Sequence, residues 1–393
     1  MSNITTPNCV KIYAYMENSR SFPQRVIFGE NTLSQLGELC QDLEASRVLL
    51  VSDPGIVQAG HCEKALQSLG KANITHFLFD QVEENPSTHH VNLGLKFAQK
   101  HSPIDCIVGL GGGSPMDCAK GINFLLTNGG KMEDYWGTDK ASQPMLPSIG
   151  IPTTAGTGSE SQRFALITQE KDRQKMACGD FKVLFRTVIL DPVLTKTLPK
   201  TITAITGLDA IAHALESYVC TERNSMSQML AREAWRLLNG NFEMVIESPD
   251  NLGSRADMLW GAHFAGAAIE NSMLGAAHAC ANPLTIKFGI THGIAVSLML
   301  PHVIRFNGDK VENLYSELLE AAGLPHETPA EQLGGRVTYL INNAKLPTLL
   351  RECQVEKASL PGLAHLATQQ WTGKFNPRSL SEADFLSLYE EAY

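Results

Sequence analysis

Several features are scarce in this sequence, and each absence narrows the field. No apolar stretch approaches the roughly 18 residues that a membrane span needs, so no span is expected. No Lys/Arg-rich run occurs, and 32 Lys plus Arg stand against 41 Asp plus Glu, a formal net charge of −9. A nucleic-acid binder would normally carry a basic excess or a basic stripe. No two cysteines are spaced C-x-x-C. The nine present (9, 40, 62, 106, 118, 178, 220, 280 and 353) are odd in number and scattered, which reads as reduced, mostly buried thiols in a reducing cytosol, not a disulfide framework. The opening MSNITTPNCVKIY lacks a basic n-region followed by an apolar h-region, so no secretory signal is expected there. What remains is an acidic, cytoplasmic chain of the kind that handles small molecules.

At 393 residues and 43% hydrophobic content the chain is too long for one ordinary domain and can bury a large core without staples. Its two parts read differently. From about Arg25 to Asp191, short β-rich runs alternate with amphipathic stretches. The runs are 47–52 (RVLLVS), 76–79, 104–110 (IDCIVGL), 145–152 and 187–190; the amphipathic stretches include 62–69 and 91–100. Strand, helix, strand at this spacing predicts a Rossmann-like parallel sheet with helices on both faces. From about Thr195 onward, 202–219, 225–246, 255–272, 294–305 and 311–322 show helical periodicity, and no strand pattern stands out. The expected organisation is an α/β domain over 1–194 and an all-helical domain over 195–393, with Leu198-Pro199 as a natural hinge. Residues 10–16 are either an edge strand or a loose arm.

Gly111-Gly112-Gly113-Ser114-Pro115-Met116-Asp117 follows an apolar strand and opens a helix. Glycines let backbone approach a pyrophosphate closely, and the helix N-terminus offers free N–H groups to an anion. Ser114 is expected as the N-cap, Pro115 at the first helical position and Asp117 as the end of a capping box. This is not the G-x-G-x-x-G fingerprint, and an ordinary Gly-rich turn is the alternative. A second loop, Pro152-Thr153-Thr154-Ala155-Gly156-Thr157-Gly158-Ser159-Glu160, lines up small hydroxyl donors with no charge before Glu160, which suits a cofactor's phosphates or ribose. Asp53, at the end of the 47–52 run, could accept hydrogen bonds from an adenosine ribose and repel a 2′-phosphate. On position alone a turn-forming Asp before proline is the stronger reading.

Asp209 and His213 lie four apart in TITAITGLDAIAHALESYV, so on a helix they share a face. The charged residues between 204 and 219 are Asp209 and Glu216 only, and with His213 they form one narrow stripe. A buried carboxylate beside an imidazole needs a partner; a metal is one solution, and a private Asp–His hydrogen bond is the other. His278, in LGAAHACANPL, and His292, in ITHGIAVSLMLPHV, also sit in apolar surroundings where an unpaired imidazole is costly. One carboxylate and three imidazoles suit Zn²⁺ or Fe²⁺ and leave positions for substrate. His61, His76, His89, His90, His101, His326 and His365 read as surface residues, and His263 and His302 as core or supporting ones.

These residues together resemble the iron-containing (group III) alcohol dehydrogenase family. GGGSPMDCAK, PTTAGTGSE, TGLDAIAHALESY and the His278 and His292 segments match its motifs in order, and the similarity extends from about Phe22 to the C-terminal FNPRSLSEADF. The resemblance implies a dinucleotide-binding α/β domain and a helical domain in the two-domain fold shared with dehydroquinate synthase, with the site in the cleft between. It implies metal ligation by Asp209, His213, His278 and His292. It places Gly111, Gly112, Gly113, Ser114, Thr153, Thr154 and Thr157 at nicotinamide-cofactor positions, Asp53 at the position favouring NAD over NADP, and Lys175 near the cofactor. It also implies a homodimer. Two departures stand out: Asn282 replaces a histidine that in many members lies near the nicotinamide, and Ser161-Gln162-Arg163 replaces a usual Val-Thr pair.

The implied reaction is reversible oxidation of a small alcohol to an aldehyde, with hydride passing to NAD and Fe²⁺ (alternatively Zn²⁺) polarising the substrate oxygen. Asn282, four residues beyond His278, is expected to orient substrate or a water, with the helix stopping or kinking at Pro283. A dehydroquinate synthase-like lyase is one rival. It should line its pocket with Lys and Arg, yet between 255 and 305 only Arg255, Lys287 and Arg305 occur. A non-enzymatic cofactor- or metal-binding regulator is the other.

Overall fold

The computed structural model describes residues 10–13, 24–171 and 174–393. Its internal contacts divide the chain into two units, the first running to Thr154 and including Ser159–Thr197, the second comprising Ala155–Gly158 and Leu198–Tyr393.

In the first unit, strands β1 (Val10–Tyr13), β2 (Gln24–Phe28), β3 (Arg47–Val51), β4 (Thr75–Phe79), β5 (Cys106–Gly111), β6 (Gly137–Thr138), β7 (Ser148–Pro152), β8 (Phe164–Thr168), β9 (Lys175–Gly179) and β10 (Thr187–Leu190) form two sheets. The larger has the order β1-β2-β10-β7-β5-β3-β4, parallel throughout except that β1 runs antiparallel to β2 at the edge. Every residue of β5, β7 and β10 is buried, which is why their sequences are near-continuous apolar runs without alternation.

Alternate side chains nevertheless serve opposite faces. Leu49, Val51 and Ile107 join one core with α4 (Thr88–Lys100) and α5 (Gly113–Asn128), through Val91, Ala98, Ala119 and Ile122. Val48, Leu50, Cys106 and Val108 join another with α1 (Leu36–Asp42) and α3 (His61–Lys71), through Leu36, Leu39, Ala65 and Leu69. A short helix α2 (Pro54–Gln58) leads into α3. The sheet is therefore covered by helices on both faces, as the alternation in sequence predicts.

The smaller sheet, β6-β9-β8, has no counterpart in the sequence reading. Its β8 and β9 are antiparallel and half-buried, and the connection between them, QEKDRQ, is strongly polar, so the apolar signal is short on both sides. Ala165, Ile167, Met176 and Cys178 place it against the core shared with α5.

The second unit contains, among its described residues, helices and no strand: α6 (Lys200–Val219), α7 (Ser225–Glu247), α8 (Leu252–Glu270), α9 (Ala276–Phe288), α10 (His292–Ala321), α11 (Pro329–Asn343), α12 (Leu360–Thr368) and α13 (Glu382–Glu391). The expected helices over 294–305 and 311–322 are joined in α10, with non-helical backbone at Val311 (φ −137°, ψ 25°) marking the division seen in the sequence. Of the expected stop or kink at Pro283, the stop does not occur: helix α9 continues to Phe288. Ala276, Ala277, Ala279 and Ala281 are fully buried, so packing of this small-residue surface outweighs one missing N–H.

No helix among the described residues is long and apolar enough to cross a membrane. The described cysteines are all free, and all but Cys353 are buried. His61 corrects the sequence reading: it is buried, only 1% exposed, and its Nε2 lies 2.8 Å from Thr197 Oγ1. It shares a face of α3 with Ala65 and Leu69, which are buried in the core, and so is carried inward despite its polar neighbours.

Candidate metal and cofactor sites

Helix α6 is buried from Gly207 to Val219 on all sides, which explains the lack of Lys and Arg in that stretch. Its polar stripe is Asp209, His213 and Glu216, each at most 6% exposed. His278 stands in the first turn of α9 and is 3% exposed; His292 opens α10 and is half-buried. Their Nε2 atoms converge on one carboxylate oxygen. Asp209 Oδ1 lies 3.6 Å from His213 Nε2, 3.6 Å from His278 Nε2 and 4.0 Å from His292 Nε2.

These separations are too long for hydrogen bonds. They are close to what two ligand atoms, each about 2.1 Å from a tetrahedral metal, require of one another, about 3.4 Å. Asp209 Oδ1 and His278 Nε2 are both buried without a hydrogen-bond partner. Two orphaned buried polar atoms facing each other call for a third species between them. Asp209, His278 and His292 each offer a ligand atom within 4.8 Å of the others. His213 lies outside that tight group but stacks on His278, ring centroids 5.0 Å apart. The donor set, one carboxylate and imidazole nitrogens, fits a divalent transition metal.

The charged side chains of the site also hold one another. Burial would raise the Asp209 carboxyl, but His213, His278 and His292 hold it well below the usual carboxylate range. Burial pushes the His213 imidazole down against the pull of Asp209. Burial would lower His278 too, yet the Glu216 and Asp209 carboxylates on its two sides raise it to about 9.

In the first unit the chain goes from β3 outward to β4 and then back to β5 on the other side of β3, so the order reverses between β3 and β5. Ligands in such sheets bind outside the strand C-termini at this reversal. Asp53 follows β3, Gly111 ends β5 and Gly112 and Gly113 follow it, so both candidates stand at that place. Ser52 Oγ donates to Leu110 O at 2.8 Å and ties the two strand ends together. Gly111 has φ +148°, and a methyl group on it would come 2.7 Å from Pro115 Cγ and 3.3 Å from Asp53 Oδ2. Only glycine fits there. Asp53 has the turn-forming role: Oδ1 accepts from Ile56 N at 3.0 Å as the N-cap of α2, while Oδ2 faces Gly111.

The expected cap of α5 is corrected. Gly112, two residues before the Ser114 reading, is the N-cap and the helix starts at Gly113, with no side chain capping it. Ser114 Oγ instead accepts from Asn85 N at 3.3 Å. Asp117 does not close a capping box; it is buried, accepts from Ser159 Oγ at 2.5 Å and lies 3.6 Å from Lys120 Nζ. Burial raises the Asp117 carboxyl, with Lys120 and Lys175 opposing.

The threonine loop splits in two. Thr153 and Thr154 belong to the first unit: Thr153 N donates to Gly111 O at 2.9 Å, its buried Oγ1 has no partner, and Thr154 Cγ2 lies beside Gly112. Thr157 belongs to the second unit, where Gly158 (φ +61°) lets the loop press against Gly266 of α8; a methyl group at 158 would stand 2.6 Å from Gly266 Cα. Lys175 opens β9, half-buried. Asn282 lies on α9, its Nδ2 donating to Gln370 Oε1 at 3.0 Å.

Sequence reasoning missed two residues here. Glu216 was visible only as part of the α6 stripe, but its Oε2 contacts His278 Nδ1 and its Oε1 accepts from Ala277 N at 2.7 Å. Lys120 sits inside the GGGSPMDCAK motif and is 1% exposed; its Nζ donates to Ser159 O (2.8 Å), Ser159 Oγ (3.0 Å) and Phe164 O (2.7 Å). At Ser161-Gln162-Arg163, the Arg163 guanidinium lies 4.2 Å from the centre of the Phe181 ring, so its role there includes stacking.

Residues 23–192 match the family described as iron-containing alcohol dehydrogenase, and residues 203–393 match the Fe-containing alcohol dehydrogenase family, C-terminal. The chain is 33% identical over 378 residues to the 1,3-propanediol dehydrogenase of Klebsiella pneumoniae, covering 94% of this chain and 97% of that protein. It is 34% identical over 372 residues to alcohol dehydrogenase 4 of Schizosaccharomyces pombe, covering 94% and 88%. A crystal structure of 1,3-propanediol oxidoreductase superposes with a TM-score of 0.90 at 33% identity, over 94% of this chain and 97% of that one. With matches spanning both units, the chain belongs to the iron-containing alcohol dehydrogenase family.

Proposed function

We propose that this enzyme interconverts a small alcohol and its aldehyde with NAD, using a divalent metal held by Asp209, His213, His278 and His292. The observation that carries the reading is the convergence of three imidazole Nε2 atoms on Asp209 Oδ1 at 3.6–4.0 Å, with Asp209 Oδ1 and His278 Nε2 left without hydrogen bonds. Fe²⁺ is the first choice from the family and Zn²⁺ the alternative, since the donor set accepts both. When bound, the metal supplies Lewis-acid polarisation of the substrate oxygen, worth several kcal/mol, and the nicotinamide supplies the hydride acceptor.

The residues of the chain do the rest. Asp209 brings a negative charge to the centre, and its neighbours keep it ionised. The buried surfaces of α6 and α9 exclude water from the ligand atoms, which strengthens every charge interaction there. Gly111, Gly112, Gly113 and Ser114 present backbone N–H groups at the start of α5 to the cofactor's pyrophosphate. Thr153, Thr154 and Thr157 add hydroxyl donors, Asp53 takes the adenosine ribose hydroxyls, and Lys175 lies along the cofactor. Asn282 orients substrate or a water through its amide. A homodimer is part of the proposal, because β1 leaves one edge of the sheet uncovered among the described residues; light scattering at micromolar concentration checks it, and a monomer refutes it.

The test is metal analysis of anaerobically purified protein together with an NADH assay over a panel of small aldehydes. Chelator treatment or His213→Ala should abolish turnover while circular dichroism stays near that of the untreated protein. Full activity in protein shown to be metal-free would sink the assignment.

A further inference from the structure

We infer that Glu216 is a positioning residue for the metal site: through His278 Nδ1 it fixes which imidazole nitrogen faces Asp209, and it thereby sets metal affinity without ligating. This rests on the metal assignment above. Four observations carry it.

Glu216 is 4% exposed and lies seven residues after Asp209 on α6, on the same face as the candidate ligands. Its Oε2 contacts His278 Nδ1, the nitrogen pointing away from Asp209. Its Oε1 accepts from Ala277 N at 2.7 Å, in the first turn of α9, so the carboxylate is held by the same helix that carries His278. Behind it lies a buried amide pair: Asn307 Nδ2 donates to Asn376 Oδ1 at 3.0 Å, Asn376 Nδ2 donates to Asn307 Oδ1 at 2.7 Å, and Ala276 N reaches Asn376 Oδ1 at 3.3 Å.

The consequence follows from hydrogen-bond chemistry. A carboxylate can only accept, so Nδ1 must be the nitrogen that carries hydrogen. In the neutral ring, the form that can ligate, the lone pair needed for coordination is then on Nε2, facing Asp209 Oδ1. Because Ala277 N and Ala276 N are the next amides along α9, Glu216 and Asn376 together fix the first turn of that helix as well as the ring. A glutamine at 216 would offer one oxygen to two donors, Nδ1–H and Ala277 N–H, and would turn its own NH₂ toward one of them.

The probe is Zn²⁺ alone, titrated into demetallated protein against a chromophoric chelator, with wild type, Glu216→Gln, His278→Ala and the double variant compared. Outer carboxylate partners of ligating histidines typically change affinity by about 10–100-fold. Glu216→Gln should weaken Zn²⁺ binding by that factor in the native background and by less than about threefold in the His278→Ala background, the non-additivity expected of residues acting through one another. A purely structural role would cost the same in both. Gly275→Ala provides a second route that keeps the carboxylate: its methyl group would sit 3.0 Å from Glu216 Oε1 and 3.1 Å from Asn376 Oδ1, so it should displace Glu216 and weaken binding although it touches no ligand. Wild-type protein that fails to bind Zn²⁺ or Fe²⁺ would overturn the metal assignment itself. Wild-type binding with Glu216→Gln within threefold of it, or with equal losses in both backgrounds, would overturn only the role of Glu216.

Discussion

Lys120→Met offers a sharp test of how the first unit is held together around its glycine turn. The ammonium is 1% exposed and donates to Ser159 O, Ser159 Oγ and Phe164 O at 2.7–3.0 Å, with Asp117 Oδ1 3.6 Å away. It thus ties α5 to the end of the threonine loop and to the segment that follows it. Methionine keeps the apolar stem but removes the charge and all three donors. Hydrogen bonds to a charged group are worth about 1.5–3 kcal/mol each, and stripping one partner from a buried ion pair costs about 3–5 kcal/mol. These overlap, because both describe the same ammonium, so the expected loss is about 4 kcal/mol. For a unit of this size, each kcal/mol moves the melting temperature by about 2–4 °C, giving a fall of roughly 8–16 °C in the affected transition. Differential scanning calorimetry reads that shift, and fluorescence titration with NADH reads the effect on the cofactor site, where binding should weaken as the loop loosens. The companion variant Asp117→Asn/Lys120→Met removes the stranded carboxylate and should recover part of the loss. A single variant within 1 kcal/mol of wild type, or a double variant no better than the single, would show that the Asp117–Lys120 pair does not carry this load.

Three shorter predictions follow from other sites. Burial and the nearby Arg305 charge push His302 down to about 4, below its ordinary 6.5, so the unfolded chain takes up a proton there before the folded one does. Stability is therefore full above pH 6.5 and is lost as pH falls toward 4; the shift corresponds to about 3 kcal/mol, reduced to about 1–2 by partial exposure and by Glu391 at 3.7 Å. His302→Gln should flatten the urea midpoint over that range, and an unchanged slope would refute the linkage. Asp53→Gly should narrow the preference for NAD over NADP in kcat/KM while costing only a few tenths of a kcal/mol as a helix cap; comparable kcat/KM for both cofactors in the unmutated enzyme would contradict the role. Asn282→Ala should lower kcat by less than the roughly 10²–10⁴-fold of a true acid–base group and leave the pH–rate profile nearly unchanged, whereas a loss beyond 10⁴-fold with metal retained would show that this position does chemistry.

The parts legible in the sequence are those encoded by neighbours along the chain. The apolar runs of β3, β5, β7 and β10 had to be interior parallel strands, because both their faces are covered. Helix α6 announced itself by a cation-free apolar stretch over 204–219 with one polar stripe, and Asp209 and His213 share a face because of helical periodicity alone. The family motifs extended that reading to His278 and His292, which no local pattern joins to Asp209.

Other features were set by contacts between distant segments. The cap of α5 moved to Gly112 because Asn85 and Ser159 claim Ser114 and Asp117, and these partners lie far along the chain. The β8–β9 hairpin was hidden by its polar connection and revealed by its packing on the core shared with α5. Pro283 did not end α9, since burial of its alanine face outweighs one lost hydrogen bond. In the sequence Glu216 is one member of the α6 polar stripe and Lys120 one residue of the GGGSPMDCAK motif, with no partner named for either. Only the approach of Ala277 and His278 to one, and of Ser159 and Phe164 to the other, gave those buried charges partners, because a charge inside a protein persists only where the fold brings it complementary groups.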